Sequence, residues 1–558
     1  MLEYLGVHIQ NKEEPMKMMK TLFLLMSVSA ATFTYAVGNP NAKQGGTFYY
    51  NLGSTPTTLN PLSSSDAYAS SVQNYVLESL GTRNSDTYNW EPALATSWTV
   101  SKDGLQFDFK IREGVKWHDG KPLTVEDVKF SFDAIMHPED KYHTAHSKPY
   151  YENIEKVEIL DKNTVRFYVK NKYFGNFDVA AGLTVVPKHI YENPSEAQEK
   201  KLNKTLIGTG PYVFEDFKRG KGITLVANKD WWGKKVESKK GENNFAKVYL
   251  RFIKDSTIAI QRLEKGDLDF NALTAEEYEK KTSGKAWGKD VLKVKTENKS
   301  PKGYGFIGWN LQDPIFKSKN VRKALYHLVN RQEMIDKFRY GYSVPATGPT
   351  YLQSEYANKT VKPVMFDPKA ALEILRKEGW KDTDGDLILD KVIDGKKTPL
   401  SFTILEPSQD FVKYLTVFKE DAKKAGVDVK IKVIEWNSFI KALDERNFQA
   451  VRLAWSGGSV DWDPKQIWHS SSADNQGSNF IGYKNPTVDK LIDEARFELD
   501  KEKRKVILSK VYKEIAEDYP YVFLFNDRYT FYGYTSRMQK VKDTFTYEVG
   551  LGYWWISK

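Results

Sequence analysis

The amino-acid sequence predicts an α/β protein built from more than one domain. With 558 residues the chain is too long for one compact core, so two or three domains are expected. Segments with helical periodicity alternate with short runs of β-branched and aromatic residues, and this alternation is typical of α/β folds. No sequence repeat or low-complexity linker separates these segments. We therefore expect discontinuous domains that share the chain through several crossings.

Local signals predict the elements of the first half. Residues 47–52 are largely β-branched and aromatic and predict a strand, and residues 65–80 predict a helix that ends before a glycine. Residues 105–111 alternate between apolar and polar side chains, which indicates a half-buried strand. Thr124 and Asp127 have the spacing of a capping box and predict that a helix begins there.

The second half repeats the alternation with longer helices. Apolar residues at helical spacing predict the helices, and the short apolar runs between them predict strands. The predicted helices cover residues 320–339, 368–378, 410–425, 437–446, 488–499 and 501–518. The predicted strands cover residues 401–405, 428–435 and 449–454.

A secretory signal peptide is predicted near the N-terminus. The segment MKMMKTLFLLMSVSAATFTYA, residues 16–36, has a lysine-containing start, an apolar stretch too short to cross a bilayer, and a terminal Thr-Tyr-Ala. We expect cleavage after Ala36, with residues 1–15 as upstream sequence and Met16 as a candidate start. The sequence has no cysteine, so no lipid anchor is expected, and no later apolar run reaches 18 residues. These features predict a soluble periplasmic protein.

Composition and motifs narrow the classes of function. The net charge is +10, but lysines are interleaved with acidic residues and form no basic block, so nucleic-acid binding is not expected. Aromatic residues make up 14% of the chain, enough to fill the cores and also to line a ligand cleft. Metalloprotease, nucleophile-elbow and phosphate-loop motifs do not occur. No catalytic residue, cofactor or metal site is therefore predicted.

One acidic run has the spacing of part of a calcium-binding loop. Asp382, Asp384, Asp386 and Asp390 occupy positions 1, 3, 5 and 9 of such a loop. Position 6 is leucine instead of glycine, and position 12 is isoleucine instead of glutamate. A long turn, in which aspartate side chains accept hydrogen bonds from nearby backbone amides, explains the run better. An incidental calcium site is the alternative that stays open.

Five blocks of sequence together resemble one protein family. They read EPALATSWTVSKDGLQFDFKIREGVKWHDGKPLTVEDVKFSF, GTGPYVFEDFKRGKGITLVANKDWWG, FKSKNVRKALYHLVNRQEMID, FDPKAALEILRKEGWKDTDGDLILD and GSNFIGYKNPTVDKLIDEAR. In this order, over residues 43–533, they are similar to the family 5 extracellular solute-binding proteins. These are the peptide- and nickel-type binding components of ABC importers, and the chain is most similar to the oligopeptide- and dipeptide-binding periplasmic proteins.

The resemblance implies a fold and a domain map. The fold is a type II, two-lobed periplasmic-binding-protein-like arrangement with discontinuous lobes, which closes on a ligand and has an extra domain on lobe 1. The map assigns residues 1–36 to the upstream extension and signal peptide, 43–78, 205–305 and 522–558 to lobe 1, 79–204 to the extra domain, and 306–521 to lobe 2.

The resemblance also implies two charged ligand-binding residues. In oligopeptide-binding members an aspartate after a tryptophan turn meets the ligand's α-ammonium, and Asp461 in RLAWSGGSVDWDP matches it, with Asp463 as the alternative. A buried cation needs a carboxylate partner to offset its desolvation. Arg452 matches an arginine that takes the ligand's C-terminal carboxylate, which a planar guanidinium binds well. The structural alternatives are that Asp461 caps its turn and that Arg452 forms an outward salt bridge.

Aromatic residues and one backbone segment complete the candidate site. Trp436 lies 19 residues before Trp455 and matches a tryptophan that lines the cleft in the family, with core packing as its alternative. Trp455 and Trp462 flank the Asp461 turn. A further segment matches one that pairs with peptide backbone, a contact that does not depend on the ligand's side chains. This segment consists of Ser65, Asp66 and Ala67.

The family resemblance and the two charged residues lead to one expected function. We expect a monomeric carrier that captures short peptides in the periplasm and delivers them to the permease subunits of an ABC importer in the inner membrane. The alternative keeps the fold and changes the ligand to an oligosaccharide or a metal chelate such as one of nickel. A secreted hydrolase is a third class, but the sequence shows no nucleophile–base pair for it.

Overall fold

The computed structural model describes residues 37–64, 66–145, 147–474 and 477–557. The predicted signal peptide, its cleavage site at Ala36 and the candidate Ser65 lie outside these residues. Two large β-sheets and one smaller sheet, each covered by helices, organise the described chain. The predicted α/β class is therefore confirmed. Within the described ranges, every helix is too short or too polar to cross a bilayer.

The largest sheet contains seven strands of mixed direction. In spatial order they are Val291–Thr296, Thr530–Thr535, Phe270–Leu273, Thr47–Asn51, Lys247–Arg251, Gly222–Ala227 and Tyr212–Lys218. Phe48 and Val248 lie opposite each other on parallel strands, and both are fully buried. Their core also contains Leu225 and Phe270, so it spans most of the width of the sheet. The strand predicted at residues 47–52 is thus a central strand.

Helices and a short terminal pairing accompany this sheet. Helix Ala67–Val76 contributes Val72 and Val76 to its core. The other helices beside the sheet are Ser256–Glu264 and Ala275–Lys280, and strands Met538–Gln539 and Trp555–Ile556 pair near the C-terminus. Two short 3₁₀ helices at Trp232–Lys235 and Glu237–Lys239 and a third at Leu551–Tyr553 complete this part.

A four-stranded antiparallel sheet lies entirely within residues 79–204. Its strands, in spatial order, are Ala95–Val100, Gln106–Ile111, Thr164–Val169 and Ile154–Asp161. The predicted capping box of Thr124 and Asp127 is present and begins helix Val125–Ile135, which packs on the sheet. The remaining elements are strands Gly81–Arg83 and Trp90–Pro92 and helices Lys148–Tyr151, Asn176–Ala181, Lys188–Tyr191 and Glu196–Leu202.

The third sheet contains six strands and positions the candidate site. In spatial order they are Ser343–Pro345, Tyr521–Asp527, Tyr304–Trp309, Ala450–Trp455, Ser401–Glu406 and Asp428–Val433. The last three strands run parallel, so their carboxyl ends lie at one edge of the sheet. Ligands of α/β sheets bind outside the carboxyl ends of such strands. Arg452 lies within strand Ala450–Trp455, opposite the end of strand Ser401–Glu406, while Trp436 and Asp461 lie in the chain that follows two of these strands.

Helices cover both faces of the six-stranded sheet, which explains its apolar strands. Ile307 and Ile404 face one buried core, and Phe306 and Leu405 face the other. The α-helices are Lys319–His327, Arg331–Arg339, Pro368–Lys377, Val412–Lys424, Trp436–Asp444, Lys465–Trp468, Pro486–Phe497 and Lys501–Asp518. Short 3₁₀ helices occur at Pro314–Phe316, Gln409–Phe411 and Ser470–Ala473.

The helix predicted at residues 320–339 is two helices. The first ends at His327, and the second begins after Asn330. The Asn330 side chain accepts a hydrogen bond from the backbone N–H of Glu333 and donates one to the Glu333 carboxylate. This cap satisfies the Glu333 amide in the first turn of the new helix, and the bond between the two side chains holds the cap in place.

The predicted domain boundary after residue 521 needs correction. Strand Tyr521–Asp527 pairs with Tyr304–Trp309 in the middle of the six-stranded sheet, so a boundary at 521 would cut through a central strand. The chain returns to the seven-stranded sheet only with strand Thr530–Thr535. The six-stranded sheet also begins at Tyr304, two residues before the predicted start at 306. The rest of the domain map stays a prediction.

Candidate functional site

Asp461 is largely buried and keeps unused hydrogen-bonding capacity. Its side chain is 13% exposed, and the Tyr356 hydroxyl donates a hydrogen bond to Oδ1. Guanidinium nitrogens of Arg83 and Arg504 lie 3.9 Å from its carboxylate, beyond hydrogen-bond distance. Among the described residues no donor bonds to Oδ2, and no backbone amide bonds to either oxygen of the side chain. The side chain therefore does not cap its own turn.

Arg83 reaches this carboxylate from the unit formed by residues 79–204. Its guanidinium lies over the rings of Tyr88 and Trp90 and pairs with Asp178 at 2.6 Å. Trp90 Nε1 also donates to Asp178 at 2.6 Å. Burial raises the pKa of Asp178 and Asp461 adds to that rise, although Arg83 opposes it. The contact thus joins two separate units of the fold next to the candidate site.

Asp463, the alternative to Asp461, has a complete set of partners. Tyr173 Oη donates to Oδ2 at 3.0 Å, and the backbone N–H of Lys465 donates to Oδ1 at 3.1 Å. Arg496 Nη1 lies 3.6 Å from Oδ2. Because Asp463 already anchors the start of a short helix, Asp461 is the better candidate for an external cation.

Arg452 forms a buried and incomplete ion pair with Glu406. The two residues are opposite each other on parallel strands, one position beyond the Leu405–Val451 pair. Arg452 Nη1 lies 3.4 Å from Glu406 Oε1, and the two side chains are 14% and 0% exposed. Ser408 N–H donates to the same Oε1 at 2.8 Å. Within the described ranges, Arg452 Nε and Glu406 Oε2 have no hydrogen-bond partner.

Burial shifts the protonation equilibria of this pair. Loss of solvation raises the pKa of Glu406 to about 7, although Arg452 and the Ser408 amide act against the rise. Burial lowers the pKa of Arg452, and Glu406 opposes that shift. The Arg452 guanidinium lies over the Phe411 ring, with its carbon 3.2 Å from the ring centroid. Arg452 therefore makes an inward pair and not the outward salt bridge given as its alternative.

A cavity of about 630 Å³ lies between the seven-stranded and six-stranded sheets close to Arg452. Two groups that face Arg452, the Tyr414 hydroxyl and the Arg339 guanidinium, line this cavity. Lys302 and Lys413 line it as well and form no ion pair with any described residue. Glu276 and Asp527 also line the cavity, and Asp527 pairs with Arg339, so the unpaired cations of the lining are Lys302 and Lys413 among the described residues.

The three candidate tryptophans occupy different environments. Trp455 stacks on Phe306 with ring centroids 6.1 Å apart, and its buried Nε1 has no partner among the described residues. Trp462 is half-buried against Tyr512. Trp436 is 52% exposed, so its alternative of core packing does not hold, although one face contacts the Phe439 ring. An exposed indole at the carboxyl-end edge is free to contact a ligand.

Asp66 and Ala67 make no direct contact with the charged candidates Asp461 and Arg452. Asp66 caps helix Ala67–Val76, because its side chain accepts hydrogen bonds from Ala69 N–H and from the Thr57 hydroxyl and N–H. Burial would raise the pKa of Asp66, but these bonds outweigh it and lower the pKa. Ala67 is exposed. No hydrogen bond, ion pair or ring contact between described residues joins these two to Asp461 or Arg452.

The aspartate run beginning at Asp382 forms a tightly bonded turn. Asp382 accepts from the amides of Gly385 and Leu387, and Asp390 accepts from the Thr383 amide and hydroxyl. The run leads into the hairpin of strands Asp390–Ile393 and Lys396–Pro399. Oxygens of Asp382, Asp384 and Asp390 lie within 4.8 Å of one another, so they form a candidate cation site.

We expect calcium to leave the melting temperature unchanged. Lys397 Nζ lies 2.7 Å from Asp384 and 3.4 Å from Asp390, so an ammonium group already balances these carboxylates. A calcium ion would have to displace that group and break the backbone hydrogen bonds of the turn. Differential scanning fluorimetry with millimolar calcium and with EDTA checks this, and a stabilisation that EDTA reverses would establish the calcium alternative.

Sequence reasoning missed Arg83, Asp178 and Glu406. Arg83 and Asp178 have no signal in the sequence, because their role depends on how two distant units meet. Glu406 had a weak signal: it is a carboxylate at the end of the apolar strand SFTILE, as Arg452 is a lone cation in AVRLAW. Opposite charges in two apolar strands indicate a buried pair if the strands are neighbours.

Comparison with known proteins places the chain in a family. The model of the bacterial extracellular solute-binding proteins, family 5 (middle part), matches residues 89–478. The oligopeptide-binding protein AppA of Bacillus subtilis (strain 168) is 32% identical over 535 residues, covering 93% of this chain and 94% of that protein. The oligopeptide-binding protein OppA of the same organism is 25% identical over 519 residues, covering 90% and 91%.

Solved structures share the fold. The structure of AppA from Bacillus subtilis in complex with a nonapeptide matches with a TM-score of 0.72 and 30% identity, covering 93% of this chain and all of that one. NikZ from Campylobacter jejuni in complex with Ni(L-His) matches with a TM-score of 0.70 and 24% identity, covering 91% and 99%. The latter similarity shows a common fold alone.

These similarities confirm the predicted family and its two-lobed fold. Because the matched family and its relatives are binding proteins, the chain is a solute-binding protein and not an enzyme. The family resemblance inferred from the five sequence blocks is thus correct, and the chain belongs to the bacterial extracellular solute-binding proteins of family 5.

Proposed function

We propose that the protein captures short peptides between its lobes and delivers them to an ABC importer. The observation that carries the proposal is two opposite charges on one segment of the six-stranded sheet, Arg452 within strand Ala450–Trp455 and Asp461 in the loop that follows it. Asp461 and Arg452 are both largely buried, and each has hydrogen-bonding capacity that no described residue uses. A zwitterion with an ammonium at one end and a carboxylate at the other is complementary to these two charges.

Asp461 would receive the ammonium group. Its Oδ2 is open to a donor, and the Tyr356 hydroxyl orients the carboxylate through Oδ1. Arg83 and Arg504 at 3.9 Å stabilise the carboxylate without saturating it. A charge-assisted hydrogen bond to this largely buried carboxylate is stronger than the same bond in water.

Arg452 would receive the carboxylate group. Its planar guanidinium is held over the Phe411 ring and keeps Nε free, so it retains donors for an external anion. Lys302 and Lys413, which line the neighbouring cavity without an ion pair to any described residue, attract the same group. The relatives AppA and OppA, whose names describe oligopeptide binding, support peptides over sugars or metal chelates as the ligand class.

The proposal also includes the cellular location of the protein and its partners. A signal peptide that ends at Ala36 would export the chain, and the mature protein would work as a monomer in the periplasm without a cofactor. Its partners would be the permease subunits of the importer in the inner membrane. The family description as extracellular supports export.

Calorimetry and native mass spectrometry test the proposed function. Titration with pools of di- to pentapeptides is expected to release heat, and the protein as purified is expected to hold peptide masses that denaturation frees. Binding of an oligosaccharide or a nickel chelate, with no heat from any peptide pool, would overturn it.

A further inference from the structure

The buried ion pair of Glu406 with Arg452 is incompletely hydrogen-bonded. Its side chain is completely buried, yet only one contact of 3.4 Å joins it to Arg452. A well-formed arginine–carboxylate pair makes two parallel hydrogen bonds of about 2.8 Å. Here Glu406 Oε2 and Arg452 Nε have no partner among the described residues. Burying such an incompletely bonded pair is costly, which indicates that it serves something other than stability.

We propose that Glu406 is a specificity-determining residue whose protonation is coupled to carboxylate capture by Arg452. The inference rests on the proposed function. A ligand carboxylate that approaches Arg452 also approaches Glu406, because the two side chains lie side by side on adjacent strands, 3.4 Å apart. Two carboxylates at one guanidinium repel each other unless one of them is protonated.

The surroundings of Glu406 favour protonation as the response. Arg452, on the neighbouring strand, is the cation that faces Glu406, and the Ser408 amide is its other polar contact within the described chain. Arg452 is faced in turn by Tyr414 from helix Val412–Lys424 and by Arg339 from helix Arg331–Arg339. Lys413 Nζ lies 5.7 Å from the centroid of the Tyr414 ring, and Asp527 pairs with Arg339. Arginine stays charged throughout the neutral pH range because its ordinary pKa is above 12, although burial and Arg339 lower the pKa of Arg452. Glu406 is therefore the group that changes its charge.

The direction of the pH effect follows from the charges. The pKa of Glu406 lies at about 7 in the free protein, so the group is partly ionised at neutral pH. A bound carboxylate disfavours the ionised form and raises that pKa further. Binding therefore takes up a proton, and the affinity for carboxylate ligands is greatest below pH 7 and falls as the pH rises through 7.

Once protonated, Glu406 has a specific role in the bound state. A neutral carboxylic acid donates one hydrogen bond, which the ionised form cannot do. It would turn from the competitor of the ligand carboxylate into its donor, beside the guanidinium of Arg452. Peptides with a free C-terminus would use both donors, and peptides with an amidated C-terminus would need neither the proton nor the charge.

Calorimetry of one peptide in two chemical forms tests the inference. The peptide acid and its C-terminal amide are titrated at pH 7 into the wild type and into Glu406→Gln, in two buffers of different ionisation enthalpy. The amino terminus, with a pKa of about 8, contributes equally to both forms. With wild type we expect the acid to take up about half a proton more than the amide, since the group is about half ionised at its pKa.

Glu406→Gln is the matched variant, because it keeps the shape and removes the titration. In it the acid and the amide are expected to take up equal numbers of protons. Between pH 6.5 and 8.5 the affinity of wild type for the acid should fall about 25-fold relative to the amide, and this fall should vanish in the variant. At pH 8.5 the variant should bind the acid more tightly than wild type does.

The possible outcomes separate this inference from the proposed function. The role of Glu406 is overturned, and the proposed function is not, by either of two results. In the first, the peptide acid releases heat but takes up no more protons than the amide. In the second, the acid still takes up more protons than the amide in Glu406→Gln. Absence of heat from every peptide overturns the proposed function and the inference with it. If the variant does not fold, as judged by circular dichroism, the comparison of acid and amide on wild type still decides.

Discussion

Replacement of Asp461 by asparagine is expected to weaken peptide binding about 100-fold. Asparagine keeps an oxygen that the Tyr356 hydroxyl can bond to but removes the charge that would face the ligand ammonium. Removing one partner of a buried charge pair costs about 2–5 kcal/mol, and about 1.4 kcal/mol corresponds to a factor of ten. Arg83 and Arg504 already offset part of this charge, which places the effect in the lower half of that range. Isothermal titration calorimetry with a tripeptide measures it.

The melting temperature of the ligand-free variant is expected to stay near that of wild type. Arg504 keeps its hydrogen bonds to the carbonyls of Glu498 and Leu499, at 2.9 and 3.3 Å. Arg83 keeps its 2.6 Å pair with Asp178. Both arginines therefore keep hydrogen-bond acceptors when Asp461 loses its charge, although Arg504, which is 7% exposed, loses its carboxylate neighbour. Thermal unfolding without ligand separates loss of binding from loss of folding.

Asp463→Asn is the matched control for Asp461→Asn. Asp463 lies two residues away but is bonded to Tyr173 and to the Lys465 amide, so its replacement should leave affinity within about threefold of wild type. A large loss of affinity in this variant, with little change in Asp461→Asn, would show that the register of the family match is shifted to Asp463.

Local sequence signals predicted the bounds of individual helices and strands correctly where a capping residue or a turn ends the element. The helix predicted at residues 501–518 has the predicted bounds, because Asp500 caps its start and Tyr519 ends it in the left-handed conformation. The strand predicted at 401–405 extends to Glu406. The break between His327 and Arg331 was missed although Asn330 and Glu333 carry a capping pattern, since the apolar spacing on both sides suggested one continuous helix.

The charged pairs of the site depend on strand order and on packing between distant units. The position of Glu406 beside Arg452 requires that the two strands are parallel neighbours with Leu405 opposite Val451, and periodicity carries no information on pairing. The approach of Arg83 to Asp461 requires that the unit of residues 79–204 contacts the loop after the six-stranded sheet. A family resemblance supplied Asp461 and Arg452, but their immediate neighbours emerge only from the folded chain.

Asp269 presents the largest expected effect on stability. Its carboxylate is completely buried and accepts hydrogen bonds from Tyr49 N–H, the Thr535 hydroxyl and two nitrogens of Arg537, all at 2.6–2.8 Å. It thereby joins three strands of the seven-stranded sheet. We expect Asp269→Ala to lower the free energy of unfolding of this lobe by about 3 kcal/mol. Breaking a buried ion pair by removing one partner costs about 3–5 kcal/mol. The partial exposure of Arg537 places the expected cost at the lower end of this range.

Asp267→Ala supplies the comparison that identifies the cause. Asp267 lies two residues earlier and also pairs with an arginine, Arg262, at 2.7 Å, but its side chain is 38% exposed. An exposed pair contributes about 0.5 kcal/mol, so urea unfolding of this variant should overlap that of wild type. Hydrogen exchange gives a local readout, because the Tyr49 amide should lose protection in Asp269→Ala and keep it in Asp267→Ala. Equal protection in the two variants would mean that the backbone pairing of Thr47–Asn51, and not the buried carboxylate, holds the centre of this sheet.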